Sequence, residues 1–273
     1  MSTVFVLVTD EWYWPRAQRT IMDLRSIGKW TESIVIIAIG SFSIPAVWKD
    51  FYSLTEVHFP EIEEKNDLVN MLKTPFPDSI DHREIEKRNQ WEKLHVFDEM
   101  FMKWDRVVYL DAGLRVLENV HKSILPLQYK GLFLAPDDGG NFIFPNLNKQ
   151  FSTQISYSNL DVWKKTAEDF GGVHIFSDSY FLNCMWVYDT NILKTCSKQE
   201  MIAGILSYPI CKTNEMTLMN LFLHFKYKLW KPFPVFSDEK YLFDWSEWNN
   251  PNPATWQQYC FIKYPRSLSL NEP

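Results

Sequence analysis

The sequence lacks three features that would point to common classes of protein: a long apolar run, paired cysteines and an excess of basic residues. No segment approaches the roughly 20 consecutive apolar residues that a membrane-spanning helix requires. The apolar run near the N-terminus follows no basic region and is too short for a signal peptide with its cleavage site. We therefore expect a soluble protein with no membrane insertion, located in the cytoplasm.

The spacing of the cysteines and the net charge argue against a structural zinc protein and a nucleic-acid-binding protein. Four cysteines occur among the 273 residues, none in a Cys-x-x-Cys pair or another spacing typical of structural zinc, so we expect reduced thiols. The net charge is -6, from 34 acidic residues against 28 Lys and Arg, and the basic residues are scattered. Nucleic acid is therefore not an expected partner.

No linker or internal repeat divides the chain. A length of 273 residues allows one large α/β domain or two small ones, and the lack of a Gly/Ser-rich or Pro-rich linker favours one. Aromatic residues make up 16% of the sequence and include 12 tryptophans. Such a content is common where sugar rings or nucleobases are stacked, although packing in the core explains most of these side chains.

The first forty residues predict a strand, a helix and a strand. Residues 4–8 and 33–39 are continuous apolar runs, and residues 14–27 place apolar side chains at helical spacing up to Gly28. This order predicts a parallel pair of strands joined by a right-handed crossover, which is a Rossmann-like arrangement. Further predicted elements are a loop with a short helix over residues 60–90, helices over residues 89–104 and 214–226, and strands over residues 132–135 and 180–188.

A single carboxylate interrupts the apolar run within residues 106–118. Residues 107–110 show no polar alternation, which suits an interior strand covered on both faces, and Asp111 follows directly. In open α/β sheets, ligands bind at the carboxyl ends of such strands, and an acid placed there without a partner carries a desolvation cost. Asp111 is therefore the first candidate for a functional residue.

Four motifs in order resemble those of a known family. Residues 109–117 resemble its strand with an Asp-x-Asp motif, and residues 135–139 resemble the Ala-Pro-Asp turn that follows. Residues 183–188 are similar to its Asn-Ser/Ala-Gly strand beside the donor sugar, and residues 214–220 to an Asp-Gln segment that heads a helix. The chain thus resembles glycosyltransferases of the GT-A fold, especially the glycogenin-like (family 8-like) branch, with bacterial or large-DNA-virus enzymes among the candidates.

The resemblance implies one GT-A domain over residues 1–273, an α/β fold with a central, mostly parallel sheet and a Rossmann-like first half. Residues 1–113 would bind the nucleotide, and residues 114–273 would shape the donor-sugar and acceptor pockets. The implied activity is that of a hexosyl- or pentosyltransferase, which moves a sugar from a UDP-linked nucleotide sugar to a hydroxyl of a glycan or glycoprotein. For a viral enzyme, the expected location is the host cytoplasm.

The family's metal site is altered in this sequence. Relatives hold a divalent ion with both Asp-x-Asp carboxylates and a later His, but Gly113 stands at the second Asp, and Lys263 and Arg266 stand near the place of the His. In one alternative, Asp111 still holds Mn or Mg, with diphosphate oxygens and waters completing the shell. In the other, which we favour, Lys263 or Arg266 replaces the metal and Asp111 binds a ribose or sugar hydroxyl.

The resemblance also assigns a catalytic carboxylate. Glu215, Asp137 and Asp138 compete for this role, which is to take the acceptor's proton in an inverting enzyme or to steady the cationic sugar in a retaining one. Simpler structural roles stay open, because Glu215 also suits a helix start and the two aspartates an ordinary turn. The other implied donor contacts are Thr9, Asp10 and Tyr13 after the first strand, Lys93 at the diphosphate, and Asn183 beside the sugar.

Two other functions compatible with this arrangement stay open. One is a non-catalytic relative that binds glycans through its tryptophans, which is credible because Gly113 replaces a carboxylate. The other is a sugar-nucleotide pyrophosphorylase, although the first strand is not followed by the Gly-rich, basic loop that would hold a triphosphate.

Overall fold

A computed structural model describes residues 1–73, 88–137, 147, 160–209, 215–245 and 253–263. Of the predicted site residues, Asp138 and Arg266 lie outside the described residues. Asn214, one of the motif residues, also lies outside them.

The described residues form eleven strands in two sheets. The strands are β1 (Thr3–Thr9), β2 (Ile34–Ala38), β3 (Leu54–Val57), β4 (Arg106–Leu110), β5 (Leu114–Val116), β6 (Phe133–Ala135), β7 (Met185–Asp189), β8 (Trp230–Pro232), β9 (Phe236–Ser237), β10 (Lys240–Asp244) and β11 (Tyr259–Lys263).

The larger sheet has seven strands in the order β3-β2-β1-β4-β7-β6-β8. The neighbours from β3 to β4 are parallel, β7 is antiparallel to both β4 and β6, and β6 is parallel to β8. The predicted strand, helix, strand unit at the N-terminus is confirmed, since β1 and β2 are parallel and a helix connects them. The prediction of a central, mostly parallel sheet is also confirmed.

Seven α-helices lie between the strands of the described part of the chain. They are α1 (Trp14–Ser26), α2 (Ala46–Tyr52), α3 (Glu64–Lys73), α4 (Val120–Ser123), α5 (Leu160–Phe170), α6 (Lys198–Ser207) and α7 (Glu215–Met219). The 3-10 segments cover Arg88–Phe97, Glu99–Lys103, Val173–Ser177, Thr190–Lys194 and Pro253–Gln258. None of the helices described is long and apolar enough to cross a bilayer.

Three predicted elements differ in detail from the structure. The helix predicted over residues 89–104 is two 3-10 segments, because Asp98 is extended and its carboxylate accepts a hydrogen bond from the Met100 N–H at 3.0 Å, which starts a new turn. The helix predicted over residues 214–226 continues beyond α7 as a π-helix over Asn220–Lys226. The strand predicted over residues 180–188 begins only at Met185.

Both faces of the seven-stranded sheet are buried along its five inner strands, as the uninterrupted apolar runs predict. Along β1, Val4, Val6 and Val8 pack in one hydrophobic cluster, while Phe5 and Leu7 pack in another on the opposite face. This alternation follows from the two-residue period of side chains in a strand. Each of the two clusters contains residues from both predicted halves of the domain, 1–113 and 114–273.

The smaller sheet brings the end of the described chain close to Asp111. Its order is β5-β11-β10-β9, and β11 is antiparallel to β5 with Lys263 opposite Leu114. Because β5 follows β4 after only three residues, this register places Lys263 beside the carboxyl end of β4. Two residues 152 positions apart in sequence thereby reach one site.

Candidate active site

An open cleft lies at the carboxyl ends of β1, β2 and β4, where ligands bind in open α/β sheets. It encloses about 740 Å³ of empty space, including solvent at its mouth. The lining residues are Val8, Thr9, Asp10, Tyr13, Arg16, Ile39, Asn89, Gln90, Lys93, Asp111, Ala112 and Lys263. The structure therefore brings together six of the residues predicted from the sequence: Thr9, Asp10, Tyr13, Lys93, Asp111 and Lys263.

Asp111 reaches the cleft with its carboxylate held on both oxygens. Its Oδ1 accepts a hydrogen bond from the Tyr109 hydroxyl at 2.7 Å and lies 3.0 Å from the Lys93 ammonium, while Oδ2 accepts from Lys263. The side chain is 19% exposed. Burial raises the pKa of Asp111, but the charges of Lys263 and Lys93 outweigh it and hold the pKa well below its usual range. Asp111 is therefore a carboxylate at neutral pH.

Lys93 connects the cleft with the interior. Its ammonium lies 3.0 Å from Asp111 Oδ1 and 3.0 Å from Glu215 Oε1, and the side chain is only 8% exposed. Burial lowers the pKa of Lys93, but the two carboxylates outweigh this effect and raise the pKa above its usual value. Lys93 therefore keeps its charge although it is largely buried.

Glu215 lies beneath Lys93 rather than among the residues that line the cleft. Its side chain is 1% exposed, and Oε1 accepts a hydrogen bond from Asn183 Nδ2 at 2.7 Å, while Oε2 has no hydrogen-bond partner among the described residues. Burial raises the pKa of Glu215, and the Lys93 charge opposes this shift. Two of the predicted residues, Glu215 and Asn183, therefore do not line the cleft themselves. Glu215 contacts Lys93, which lines the cleft, and Asn183 contacts Glu215.

The first turn of α1 supplies a cleft residue that the sequence analysis missed. Gly113 has φ of +89°, and a Cβ placed on it would lie 2.4 Å from the Nε of Arg16. The guanidinium of Arg16 therefore fills the space in which a side chain at position 113 would begin. A signal was present in the sequence, since an arginine in the first turn of a helix is unfavourable beside the positive end of the helix dipole.

Asp10 connects two parts of the cleft wall through hydrogen bonds. Its Oδ1 accepts a hydrogen bond from the Tyr13 N–H at 2.8 Å, and its Oδ2 accepts one from Asn89 Nδ2 at 2.8 Å. The loop after β1 is thereby joined to the 3-10 segment that carries Lys93. Asp137, in contrast, is exposed at an isolated bridge to Phe181 and does not line this cleft.

The side chains around Asp111 do not fit a divalent metal ion. Both carboxylate oxygens already contact ammonium groups, and a guanidinium fills the space next to Gly113. Mn and Mg require several oxygen ligands, whereas within the described residues no three His, Cys, Asp or Glu side chains converge as ligands. Of the two alternatives predicted from the sequence, the donor set therefore fits replacement of the metal by cationic side chains.

No protein-family model matches the sequence, and no curated protein matches it either. Solved structures do match. The galactosyltransferase LgtC, in complex with donor and acceptor sugar analogues, superposes with a TM-score of 0.57 at 11% identity, over 96% of this chain and 86% of that one. Mouse xyloside xylosyltransferase 1 gives a TM-score of 0.50 at 6% identity, and each chain is covered completely.

The fold is GT-A. This likeness confirms the fold class that the sequence motifs implied. A third match, the bifunctional glycosyltransferase WbbM, has a TM-score of 0.56 at 13% identity, and this chain spans 46% of its length. At such identities the comparison shows the fold alone, so the glycogenin-like branch and a bacterial or viral source stay predictions. In this GT-A chain, the cleft lies where the parallel strands end and is lined by cationic and acidic side chains.

Proposed function

We propose that this GT-A protein is a glycosyltransferase that moves a sugar from a nucleoside-diphosphate sugar to a hydroxyl of a glycan or glycoprotein. The observation that carries the proposal is the ionised Asp111 at the carboxyl end of β4, held by Lys93 and Lys263 in an open cleft. A carboxylate beside two ammonium groups offers an acceptor for sugar hydroxyls and donors for phosphate in one place. Matches to solved glycosyltransferases support the same conclusion.

The donor nucleotide is proposed to be UDP, bound by the first strand and the turn after it. Tyr13 and the apolar side chains of Val8 and Ile39 line the cleft and could contact a nucleobase. Thr9 and Asp10 lie beside them at the end of β1. We assign the nucleoside to this part of the cleft and the diphosphate to the part near Lys93.

Asp111 is proposed to bind a ribose or sugar hydroxyl. Within the described part of the chain, its Oδ1 accepts from Tyr109 and Lys93, whereas Oδ2 accepts only from Lys263. A carboxylate oxygen can accept about two hydrogen bonds, so Oδ2 keeps one position for a hydroxyl of the donor. The three existing contacts fix the orientation of the carboxylate before the donor binds.

The cations in the cleft would stabilise the leaving group. As the bond to the sugar breaks, the departing nucleoside diphosphate gains negative charge, and fixed positive groups aimed at it lower the barrier. Lys93 is buried and held by two carboxylates, so it needs little reorganisation when that charge develops. We propose that Glu215 and Asn183 act by holding Lys93 in place.

The carboxylate that takes the acceptor's proton stays a prediction. Asp137 is exposed after β6, where an acceptor could approach, and it remains a candidate together with Asp138. Glu215, as a direct base, would require its Oε2, which is buried and has no partner in the described part of the chain, to become accessible. The pyrophosphorylase and the non-catalytic glycan-binding relative are not favoured, because the matched folds belong to glycosyltransferases.

A binding and turnover experiment tests the proposal. Calorimetric titration with a panel of nucleotide sugars should give one preferred donor, and that donor should release its nucleoside diphosphate when glycan acceptors are added. Asp111→Asn should abolish turnover and weaken donor binding, while Asp161→Asn, an exposed residue of α5, should change neither. Binding of no nucleotide sugar, or turnover that survives Asp111→Asn unchanged, contradicts the proposal.

A further inference from the structure

We propose that Arg16 and Lys263 bind the donor diphosphate directly, in place of the divalent metal ion that the resemblance to the glycogenin-like branch implies. The inference rests on the proposed function, because it concerns the donor of that same reaction. The diphosphate site is then cationic, and Arg16 is one of the residues that bind the phosphate groups.

Arg16 and Gly113 are coupled by the space that they share. The guanidinium lies so close to Gly113 that a Cβ there would be 2.4 Å from Nε and 2.6 Å from Nη2. A carboxylate at position 113 is therefore incompatible with the present position of Arg16. Gly113 and the guanidinium of Arg16 thus share one space, so that a positive group lies where a side chain at position 113 would begin.

The position of Arg16 on α1 also points to an anionic ligand. The residue lies in the first turn of α1 (Trp14–Ser26), which contains no acidic side chain. A cation there is disfavoured by the helix dipole, whereas an anion is favoured by the same dipole and by the N–H groups of the first turn. An anion bound near this helix end would be favoured by the guanidinium, by the dipole and by the N–H groups together.

Lys263 reaches the same cleft from the end of β11. It ends β11, pairs with Asp111 Oδ2 and lines the cleft beside Ala112. Its side chain is 12% exposed, so the ammonium is held by the protein rather than free in solvent. Asp111 therefore serves as an anchor for a cation, a different task from that of a metal ligand.

Cationic groups outnumber carboxylates among the side chains that line the cleft, and Glu215, which pairs with Lys93, lies beneath it. Arg16, Lys93 and Lys263 are positive, and Asp10 and Asp111 are negative. Both oxygens of Asp10 already accept hydrogen bonds, from the Tyr13 N–H and from Asn89. Guanidinium groups bind phosphate oxygens in a bidentate manner, and lysines contribute point charges. This set matches two linked phosphates without an intervening metal.

The decisive experiment measures binding of UDP to the wild-type protein by calorimetry, in EDTA and again with Mn²⁺. We expect dissociation constants that agree within about threefold, and no protein-bound Mn²⁺ by electron paramagnetic resonance. Binding that is lost in EDTA and restored by Mn²⁺ overturns the inference while leaving the proposed function intact. Failure of every nucleoside diphosphate in a panel that includes UDP to bind under both conditions overturns the proposed function, and this inference with it.

Variants test the two residues separately. Arg16→Gln and Lys263→Gln should each weaken UDP binding about 10- to 100-fold, the range for loss of one charge-assisted hydrogen bond. The same variants should weaken binding of uridine, which has no phosphate, less than threefold. Arg19→Gln is the matched control, since Arg19 lies on the same helix, pairs with Asp23 and does not line the cleft. Equal losses for UDP and uridine, or an Arg16→Gln variant that binds UDP as well as Arg19→Gln does, would refute the assignment.

Discussion

Lys93 and Glu215 form an ion pair inside the protein, with Nζ 3.0 Å from Oε1 and side chains only 8% and 1% exposed. The two residues are far apart in sequence, and both are needed for charge balance around Asp111. Removing one partner of such a pair leaves an uncompensated charge in the interior, which costs more than the pair contributes.

Lys93→Met should therefore destabilise the protein by about 3–5 kcal/mol, because Glu215 would be left buried without its cation. Urea unfolding measures the change in the free energy of unfolding. The double variant Lys93→Met with Glu215→Gln should recover part of the loss, since the buried charge is then removed. A double variant that is no more stable than Lys93→Met alone would contradict this account.

Tyr109→Phe should lower the affinity for UDP and destabilise the protein by about 1.5–3 kcal/mol, the range for a hydrogen bond to a charged group. The hydroxyl donates to Asp111 Oδ1 at 2.7 Å, while the ring stacks on Trp186 and is kept in the variant. Tyr188→Phe is the matched control, because its hydroxyl donates to the neutral Val96 carbonyl at 2.6 Å. The control should cost about 0.5–1.5 kcal/mol and leave UDP affinity unchanged. Equal effects of both variants on UDP binding would argue against a special role for Tyr109.

Gly113→Ala and Gly131→Ala should destabilise the protein by similar amounts, but only Gly113→Ala should also weaken UDP binding. Gly113 and Gly131 both have positive φ, +89° and +70°, so alanine at either position should cost about 1–2 kcal/mol of backbone strain. Only at Gly113 does the new Cβ meet Arg16, whose flexible side chain can move aside at the expense of its position in the cleft. Thermal unfolding and calorimetry on Gly113→Ala and Gly131→Ala separate the two effects. Similar UDP affinities of the two variants would contradict the coupling of Arg16 and Gly113.

Glu56 should contribute stability that depends on pH. Burial raises the pKa of Glu56, but hydrogen bonds from Lys49, the Ile44 N–H and His58 outweigh it and lower the pKa to about 2. A carboxyl whose pKa falls on folding stabilises the native state above its ordinary pKa, and this contribution is lost as pH falls from about 4.5 toward 2.

Glu56→Gln should therefore be less stable than the wild type at pH 7, by about 1–2 kcal/mol after allowance for solvent screening around the exposed Lys49 and His58. The difference should shrink as pH falls from 4.5 to 3. Urea unfolding at several pH values measures it, and a difference that stays constant over this range would be inconsistent with the lowered pKa.

The sequence predicted those features that depend on local periodicity. Continuous apolar runs indicated β1, β2 and β4 because both faces of a central parallel sheet are buried, and helical spacing up to Gly28 indicated α1. The end of a buried strand identified Asp111, which lies in the cleft. Position after β1 was enough to place Thr9, Asp10 and Tyr13 there, since parallel strands end at the same edge.

Only the tertiary structure decided what surrounds Asp111. Arg16 fills the space next to Gly113, Lys263 arrives through the register of β11 against β5, and Glu215 is held beneath Lys93. These contacts join segments far apart in the chain, and no periodicity of a single segment encodes them. The physical reason is that local side-chain patterns decide which face of an element is buried, whereas packing and strand register decide which distant charges meet.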